Sequence, residues 1–286
     1  MRGSSLGSDA ITLSDAPEAA ALTRPMLGSG RTLLASDFDG TLSRLVMDPW
    51  SARIIPAAQR ALRRLAVRPD LHVALISGRT VVDLADRARV GGISYRGDHG
   101  AEWAEAPRGF RRRALQVEQE PTTEAEAAVA ARLAAEVPRS IREAWLVVEP
   151  KAAALTFHFR GAPDVDAARA RVVVAVDAVD ADELLARSVG RRSLELRPRS
   201  ASTKGDALER LIAWLQPRAV VMLGDDRNDA LAFDVVRATR AAGGIDGLAI
   251  AVAGHADVTT AVAPRADLVL RSPDEAARLL SLLAAA

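Results

Sequence analysis

One stretch constrains this chain more than any other: Leu33-Leu34-Ala35-Ser36-Asp37-Phe38-Asp39-Gly40-Thr41-Leu42. A short apolar run ends in two carboxylates one residue apart and is followed by Gly-Thr. The run has the length and bounding of a buried strand rather than of a helix, and Gly40 lets the chain turn sharply after it. In an open α/β sheet, ligands bind beyond the carboxyl ends of the strands, where Asp37 and Asp39 would lie. Two acids so close repel unless a cation lies between them or one is protonated. Such an oxygen-rich site suits Mg²⁺, which binds through one or two carboxylates, substrate phosphate and retained waters. Taken alone, Asp-x-Asp-Gly is an ordinary turn; directly after a buried strand and before Thr41, it is far more specific.

The residues that follow keep an alternating rhythm. Pro56 to Val67 has the period of an amphipathic helix, with Ala58, Ala61, Leu62 and Leu65 on one side. Leu71 to Ile76 is a second buried strand, ending in Ser77-Gly78-Arg79-Thr80 before a helix through Val81, Leu84, Ala85 and Ala88. A strand, a small hydroxyl residue, a glycine and a helix start together make an anion site, because free backbone N–H groups point at the ligand. The plainer reading is a strand-to-helix turn with Thr80 as N-cap. Ile93 to Arg96 is a third strand, leading into Gly97-Asp98-His99-Gly100-Ala101-Glu102. Strands alternating with helices imply a parallel sheet with right-handed crossovers.

Between about Val117 and Pro198 the order changes to helix, two strands, helix, two strands. Thr122 to Val137 is helical, with Thr123 and Glu126 as a capping pair. Trp145 to Glu149 and Ala152 to Arg160 read as strands, Val165 to Val179 as a helix, and Leu184 to Val189 and Arg192 to Arg197 as a second strand pair. Such an insertion within an alternating chain is a separate small α+β domain. The first rhythm then resumes with Ser202-Thr203-Lys204-Gly205-Asp206, a helix from Ala207 to Gln216, and a strand from Arg218 to Leu223 that ends in Gly224-Asp225-Asp226-Arg227-Asn228-Asp229. Strands at Leu248 to Val252 and Leu268 to Leu270 and a helix from Asp274 to Ala286 close the pattern. The fold class is therefore α/β, a doubly wound parallel-sheet (Rossmann-like) core with an inserted α+β cap. The expected division is a flexible leader over 1–30 (partly helical around Pro17 to Leu22), core over 31–116, cap over 117–198 and core again over 199–286.

Composition narrows the function classes. A formal net charge of +1 over 286 residues argues against a general nucleic-acid binder. With no cysteine, disulfides, thiolate metal sites and a cysteine nucleophile are excluded. No apolar run reaches the length of about eighteen residues that a membrane helix needs, and Asp9 and Asp15 interrupt any signal-peptide core. A cytoplasmic monomer acting on a small molecule, with no nucleic-acid or membrane partner, is the expectation.

The opening motif resembles the first motif of the haloacid-dehalogenase-type phosphatases. The resemblance implies that Asp37 is the nucleophile and Asp39 the general acid/base. It further implies that Asp37, a backbone oxygen of Asp39 and the Asp225 side chain hold Mg²⁺, and that Lys204 neutralises both Asp37 and the phosphoryl oxygens. Gly40, Thr41, Ser77, Gly78 and Lys204 would surround the phosphate. Asp226 and Asp229 would bind the metal's waters or orient Lys204, with Asn228 in reach of phosphate or metal water. Four motifs in the required order, each at a strand end or helix start, are hard to obtain by chance, which argues against a purely structural reading.

Within that superfamily, further motifs resemble the trehalose-6-phosphate phosphatases: Asp48-Pro49, Ser77-Gly78-Arg79, His99-Gly100-Ala101-Glu102, Glu149-Pro150-Lys151, His158-Phe159-Arg160 and Leu194-Glu195-Leu196-Arg197-Pro198. The resemblance runs from about Leu33 to Leu283. It implies hydrolysis of trehalose 6-phosphate to trehalose and phosphate through an aspartyl-phosphate, with Arg79, His99, Glu149, Lys151 and Glu195 contacting the sugar phosphate. A disaccharide offers many hydroxyls, so charged hydrogen-bonding groups are its effective readers. The alternative for Glu149 and Lys151 is an exposed cross-strand ion pair, and His158 and Arg160 are either ligands or support within the cap. The chain departs from the family's Gly-Asp-Asp-x-Thr-Asp-Glu at Asn228 and Ala230. That departure keeps a related disaccharide or pseudo-disaccharide (aminocyclitol) phosphate open as substrate. A non-catalytic sugar-phosphate sensor has no use for Asp39, and a phosphomutase must shield its aspartyl-phosphate from water.

Overall fold

The structure, a computed structural model, describes residues 13–46, 48–109, 115–151, 154–190, 192–254 and 262–285. It divides into two compact units, one made of Met1–Glu118 with Ser202–Ala286 and the other of Gln119–Ala201. The first begins with α1 (Ala16–Leu27), β1 (Thr32–Ser36), α2 (Pro56–Leu65), β2 (Leu71–Ile76), α3 (Val81–Ala88), β3 (Ser94–Gly97) and β4 (Glu102–Glu105), and the short β5 (Glu118–Gln119) follows where the chain leaves it. The inserted unit holds α4 (Glu124–Ile141), β6 (Val147–Pro150), β7 (Leu155–His158), α5 (Val165–Val179), β8 (Leu185–Val189) and β9 (Ser193–Pro198). The chain then returns through α6 (Lys204–Leu215), β10 (Ala219–Gly224), α7 (Arg227–Ala241), β11 (Asp246–Val252), β12 (Leu268–Leu270) and α8 (Pro273–Ala284).

Eight strands form one sheet in the order β12-β11-β10-β1-β2-β3-β4-β5; those from β12 to β4 belong to the first unit, and β5 lies where the chain passes into the second. The strands from β12 to β3 are parallel, and β4 runs antiparallel to β3. Because a strand shows alternate residues to opposite faces, β1 sends Leu34 into the cluster with α1, α2, α3 and α8, and Leu33 and Ala35 into the one with α6 and α7. With both faces covered, the strands carry nearly continuous apolar runs. The winding order reverses at β1: the chain steps outward to β2 and β3, then resumes on its other side at β10. Ser36 pairs in register with both Leu75 and Leu223. The residues that follow β1, β2 and β10 thus emerge side by side at a switch point, where doubly wound sheets bind ligands.

The inserted unit is a four-stranded antiparallel sheet, β6-β7-β9-β8. Its α4 and α5 cover one face through Leu133, Val137, Val172 and Val176, which pack on Leu155, Phe157, Leu194 and Leu196. Thr123 and Glu126 form the expected capping box at the start of α4.

Three features differ from the sequence expectations. The leader is not flexible throughout: Ser14 donates its N–H to the Val269 carbonyl at 2.8 Å, and α1 buries Ala16, Ala19, Ala20 and Leu27. Alanine contributes little to an amphipathic pattern, yet its small side chain lets α1 lie close against α8. Residues 1–12 of that leader lie outside the described residues. The helix α7 and the strand β4 arise where no element was expected, and α6 starts three residues early, at Lys204, because Thr203 and Asp206 form a capping box there. Among the described residues, no helix is long and apolar enough to cross a membrane.

Candidate active site

Three strand ends converge on Asp37. Its N–H donates to the Leu223 carbonyl at 2.9 Å, continuing the β1–β10 ladder by one residue, and the residue is 3% exposed. Beyond it the chain folds back on itself, with the N–H groups of Leu42 and Ser43 both donating to the Phe38 carbonyl at 2.9 Å. Gly40 makes that return possible at φ +85°, in the left-handed region that favours glycine. A Cβ at Gly40 would lie 2.1 Å from Asp225 Oδ2, so the turn and the acid after β10 occupy adjoining space only because a side chain is missing. Thr41 Oγ1 donates to Asp225 Oδ1 at 2.9 Å and fixes that carboxylate against the turn.

Lys204, in the first turn of α6 and 2% exposed, brings its ammonium to 2.6 Å from Asp37 Oδ1 and 2.8 Å from Asp229 Oδ1. Asp229 has no exposed surface; its second oxygen accepts the backbone N–H groups of Asp225 (2.9 Å) and Asp226 (3.0 Å). Both of its oxygens are thus occupied in orienting Lys204 and the turn after β10. Asp226 caps α7, accepting the N–H groups of Asn228 (2.8 Å) and Asp229 (3.0 Å), and lies 3.8 Å from Lys204 Nζ. Burial opposes the charge on Lys204, but the neighbouring Asp226, Asp229 and Asp37 outweigh it and hold its proton well above the usual lysine range. Burial, aided by Asp225 and Asp226 and opposed by Lys204, raises the Asp37 carboxyl well above the ordinary aspartate range.

That imbalance is a test of metal fit. Asp37, Asp226 and Asp229 gather around the Lys204 ammonium, and oxygens of Asp37, Asp225 and Asp229 lie within 4.8 Å of one another. A buried, oxygen-only, electron-rich donor set is what a hard divalent cation requires. With Asp229 committed to Lys204 and two amides, Asp37 and Asp225 are the side chains best placed to serve one.

The Ser77 loop forms the third wall. Ser77 is buried; its Oγ accepts the Arg79 N–H at 3.2 Å and its carbonyl accepts the His99 N–H at 2.9 Å. His99 packs directly on Gly78, where a Cβ would come within 2.8 Å of the imidazole. Asp98 and His99 both adopt left-handed backbone, φ 44° and 59°, a strain that persists only where the surroundings enforce it. Glu102, from the same motif, accepts the Val81 N–H at 2.8 Å and secures the start of α3, where Thr80 is also the N-cap. Arg79, expected at the substrate, donates Nε and Nη2 to the two oxygens of Asp39 at 2.6 and 2.8 Å, and Nη1 to Asp83 at 2.6 Å. Asp48 caps the turn Pro49–Ser51 through the Trp50 N–H at 3.0 Å.

In the inserted unit, alternation decides which residues are available. Leu155 and Phe157 of β7 and Leu194 and Leu196 of β9 face the helices, so Thr156, His158 and Glu195 lie on the opposite face. Glu149 pairs with Thr156 and Thr156 with Glu195 across the three strands. Lys151 Nζ meets Glu195 Oε1 at 2.7 Å, and His158 Nε2 meets Glu149 Oε2 at 2.8 Å. Two acid–base pairs therefore stand together on the face that the helices leave uncovered.

The family model described as trehalose-phosphatase matches residues 35–263, spanning both core segments and the insertion. The chain belongs to that family. A trehalose-phosphate phosphatase of Mycobacterium avium is 37% identical over 257 residues, covering 87% of this chain and 61% of that protein. An uncharacterized glycosyl hydrolase of Mycobacterium tuberculosis is 35% identical over 238 residues, covering 80% of this chain and 17% of that protein. The chain thus spans less than two thirds of the length of either relative. The C-terminal domain of the Candida albicans trehalose-6-phosphate phosphatase shares the fold, with a TM-score of 0.75 over 98% of this chain and 99% of that one at 20% identity.

For this trehalose-phosphatase family member, sequence reasoning passed over Asp83 and Arg87. Arg87 Nε donates to Asp83 Oδ2 at 2.8 Å, continuing the chain of contacts that starts at Asp39. The signal was present as Arg-x-x-x-Asp-x-x-x-Arg, a spacing that stacks side chains on one helix face.

Proposed function

We propose that the chain is a Mg²⁺-dependent phosphatase that hydrolyses trehalose 6-phosphate to trehalose and inorganic phosphate. The observation that carries this reading is the buried contact of Lys204 with Asp37 beside Asp225 and Asp229, in a chain of the trehalose-phosphatase family. Uncatalysed phosphate monoester hydrolysis is so slow that enzymes supply accelerations up to about 10²¹, and an anionic nucleophile must approach an anionic phosphoryl group. The Lys204 ammonium offsets that repulsion at the attacking oxygen. Asp37 attacks phosphorus, so that one hard displacement becomes two easier ones through an aspartyl-phosphate. Asp39 gives a proton to the departing sugar oxygen and later takes one from the water that cleaves the aspartyl-phosphate. Ser77 donates its hydroxyl to a phosphoryl oxygen while its Oγ goes on accepting the Arg79 amide. Asp37, the Asp39 main-chain carbonyl and Asp225 are the residues that would hold Mg²⁺, which when bound supplies further positive charge to the phosphoryl oxygens.

Phosphate release from trehalose, sucrose, glucose and mannosylglycerate phosphates, with Mg²⁺ and with EDTA, tests the reading. Trehalose 6-phosphate is expected to lead, and EDTA to remove turnover that added Mg²⁺ restores. A flat or inverted preference rejects the substrate; turnover indifferent to EDTA rejects the metal. Because Asn228 and Ala230 depart from the family pattern, an aminocyclitol analogue belongs in the same panel.

Glu149, Lys151 and Glu195 are read as the groups that bond the sugar hydroxyls, supported by their joint placement on one face of the inserted sheet. Losing a hydrogen bond to a charged group costs about 1.5–3 kcal/mol, or roughly 10–150-fold. Glu149→Ala and Lys151→Ala should therefore lower kcat/KM for trehalose 6-phosphate by about that factor while p-nitrophenyl phosphate, which has no sugar, changes little. Equal losses on both substrates would remove these residues from sugar recognition.

A further inference from the structure

Arg79, Asp83 and Arg87 stand at i, i+4 and i+8 along the lead-in and face of α3, and they join the first motif to the loop that follows it. Arg87, 8% exposed, donates Nη1 to the carbonyls of Trp50 at 2.9 Å and Ala52 at 2.8 Å, and Nε to Asp83 Oδ2 at 2.8 Å. The same Asp83 oxygen accepts Arg79 Nη1 at 2.6 Å. Arg79 then presents Nε and Nη2 as a fork to both oxygens of Asp39, with its guanidinium 5.9 Å from the centroid of the Phe38 ring. A guanidinium is planar and rigid, so fixing one edge on Asp83 fixes the direction of the other edge. A carboxylate has about four lone-pair sites, of which this fork takes two, so the other two can face a substrate group.

A ladder of i,i+4 ion pairs on an exposed helix needs no functional reading, being worth only about 0.3–0.5 kcal/mol per pair. This one is different in placement: both arginines are nearly buried, one end is tied to main-chain carbonyls, and the other end meets the carboxyl read above as the general acid/base. We propose that Asp83 and Arg87 are positioning residues that act through Arg79 to aim the Asp39 carboxyl at the leaving sugar oxygen. The inference rests on the phosphatase reading. In the step concerned, an Asp37 oxygen forms its bond to phosphorus while the bond from phosphorus to the sugar oxygen breaks. The electron pair of that bond stays on the sugar oxygen, and the Asp39 proton passes to it. Asp39 regains a proton from the water that cleaves the aspartyl-phosphate. Misplacing a catalytic group by about 1 Å can cost 10²-fold, so loosening Arg79 affects the rate without touching substrate.

The leaving group discriminates this role from simple support of the fold. A sugar alkoxide needs a proton to depart, whereas p-nitrophenolate does not, and kcat/KM reports the steps through departure of the alcohol. Asp83→Asn and Arg87→Lys, assayed with Mg²⁺, are expected to lower kcat/KM for trehalose 6-phosphate about ten-fold or more, part of the 10²–10⁴ typical of acid catalysis. The same variants should change kcat/KM for p-nitrophenyl phosphate less than about three-fold. In an Asp39→Asn background, adding Asp83→Asn should bring no further loss on trehalose 6-phosphate, because residues acting through one group are not additive. Equal losses on both substrates, no loss on either, or a full additional loss in the Asp39→Asn background overturns the proposal. If the wild-type protein prefers another sugar phosphate, the substrate reading fails, and the same comparison made with that sugar phosphate still decides the role of Asp83. Arg87→Lys keeps the charge and carries the test if Asp83→Asn fails to fold.

Discussion

Asp37→Asn is expected to abolish phosphate release from trehalose 6-phosphate and p-nitrophenyl phosphate alike, by at least about 10⁴-fold, the scale on which removing a nucleophile acts. The carboxamide has nearly the shape of the carboxyl, so it keeps the space between the β1 end and Lys204, but it cannot form the aspartyl-phosphate. The loss should not be one of folding. In the metal-free protein, burial and the nearby Asp225 and Asp226 raise the Asp37 carboxyl well above its usual range, which means that its ionised form is disfavoured in the folded state at neutral pH. A neutral side chain removes that penalty, although Lys204 loses one of its two close carboxylates and keeps Asp229 at 2.8 Å. The variant measured with EDTA should therefore unfold at a temperature no lower than the wild type. Phosphate release above about 1% of wild type would overturn the nucleophile assignment, since even partial triads lose far more.

Much of this site was legible because its parts sit where local rules are strongest. The ends of β1, β2 and β10 follow apolar runs that only a buried strand explains, and each is terminated by residues that turns and helix starts favour. What the sequence left open were pairings between distant residues. Asp226 and Asp229 are equivalent by composition, and spacing alone allowed either to orient Lys204. Only packing assigns Asp229 to the ammonium and Asp226 to the cap of α7. The fork from Arg79 to Asp39 joins positions 40 residues apart in sequence, and the contact of Lys151 with Glu195 depends on the register of β7 with β9. Conversely, α1 was read as leader because its buried face is mostly alanine, and α7 was missed because its first turn carries Asn228 and Asp229, residues that also suit loops.

Lys204→Met should damage both rate and stability. The side chain is buried, and methionine fills much of its volume without its charge, leaving Asp37 and Asp229 side by side with no cation between them. Removing one partner of a buried ion pair costs about 3–5 kcal/mol, and loss of the ammonium beside the attacking oxygen should cost about 10²–10³-fold or more in kcat, by analogy with the loss of one oxyanion donor. The stability loss has a pH signature in the metal-free protein. Asp37 and Asp229 already bind protons more readily when folded than when unfolded, through burial that Lys204 partly counteracts. Without Lys204 that difference widens, so the folded state binds more protons than the unfolded one through the mildly acidic range. The variant should then regain stability relative to wild type as the pH falls from 7 to 5, because protonation relieves the repulsion that the ammonium formerly offset. The wild-type contribution of Lys204 itself, with its proton held well above the usual lysine range, is present throughout that window and is lost only in alkali. Thermal unfolding of both proteins with EDTA at pH 5, 6 and 7 measures the difference. A gap that is constant or widens on acidification would show that Lys204 does not neutralise these two carboxylates, and the account of how Asp37 is held for attack would fall with it.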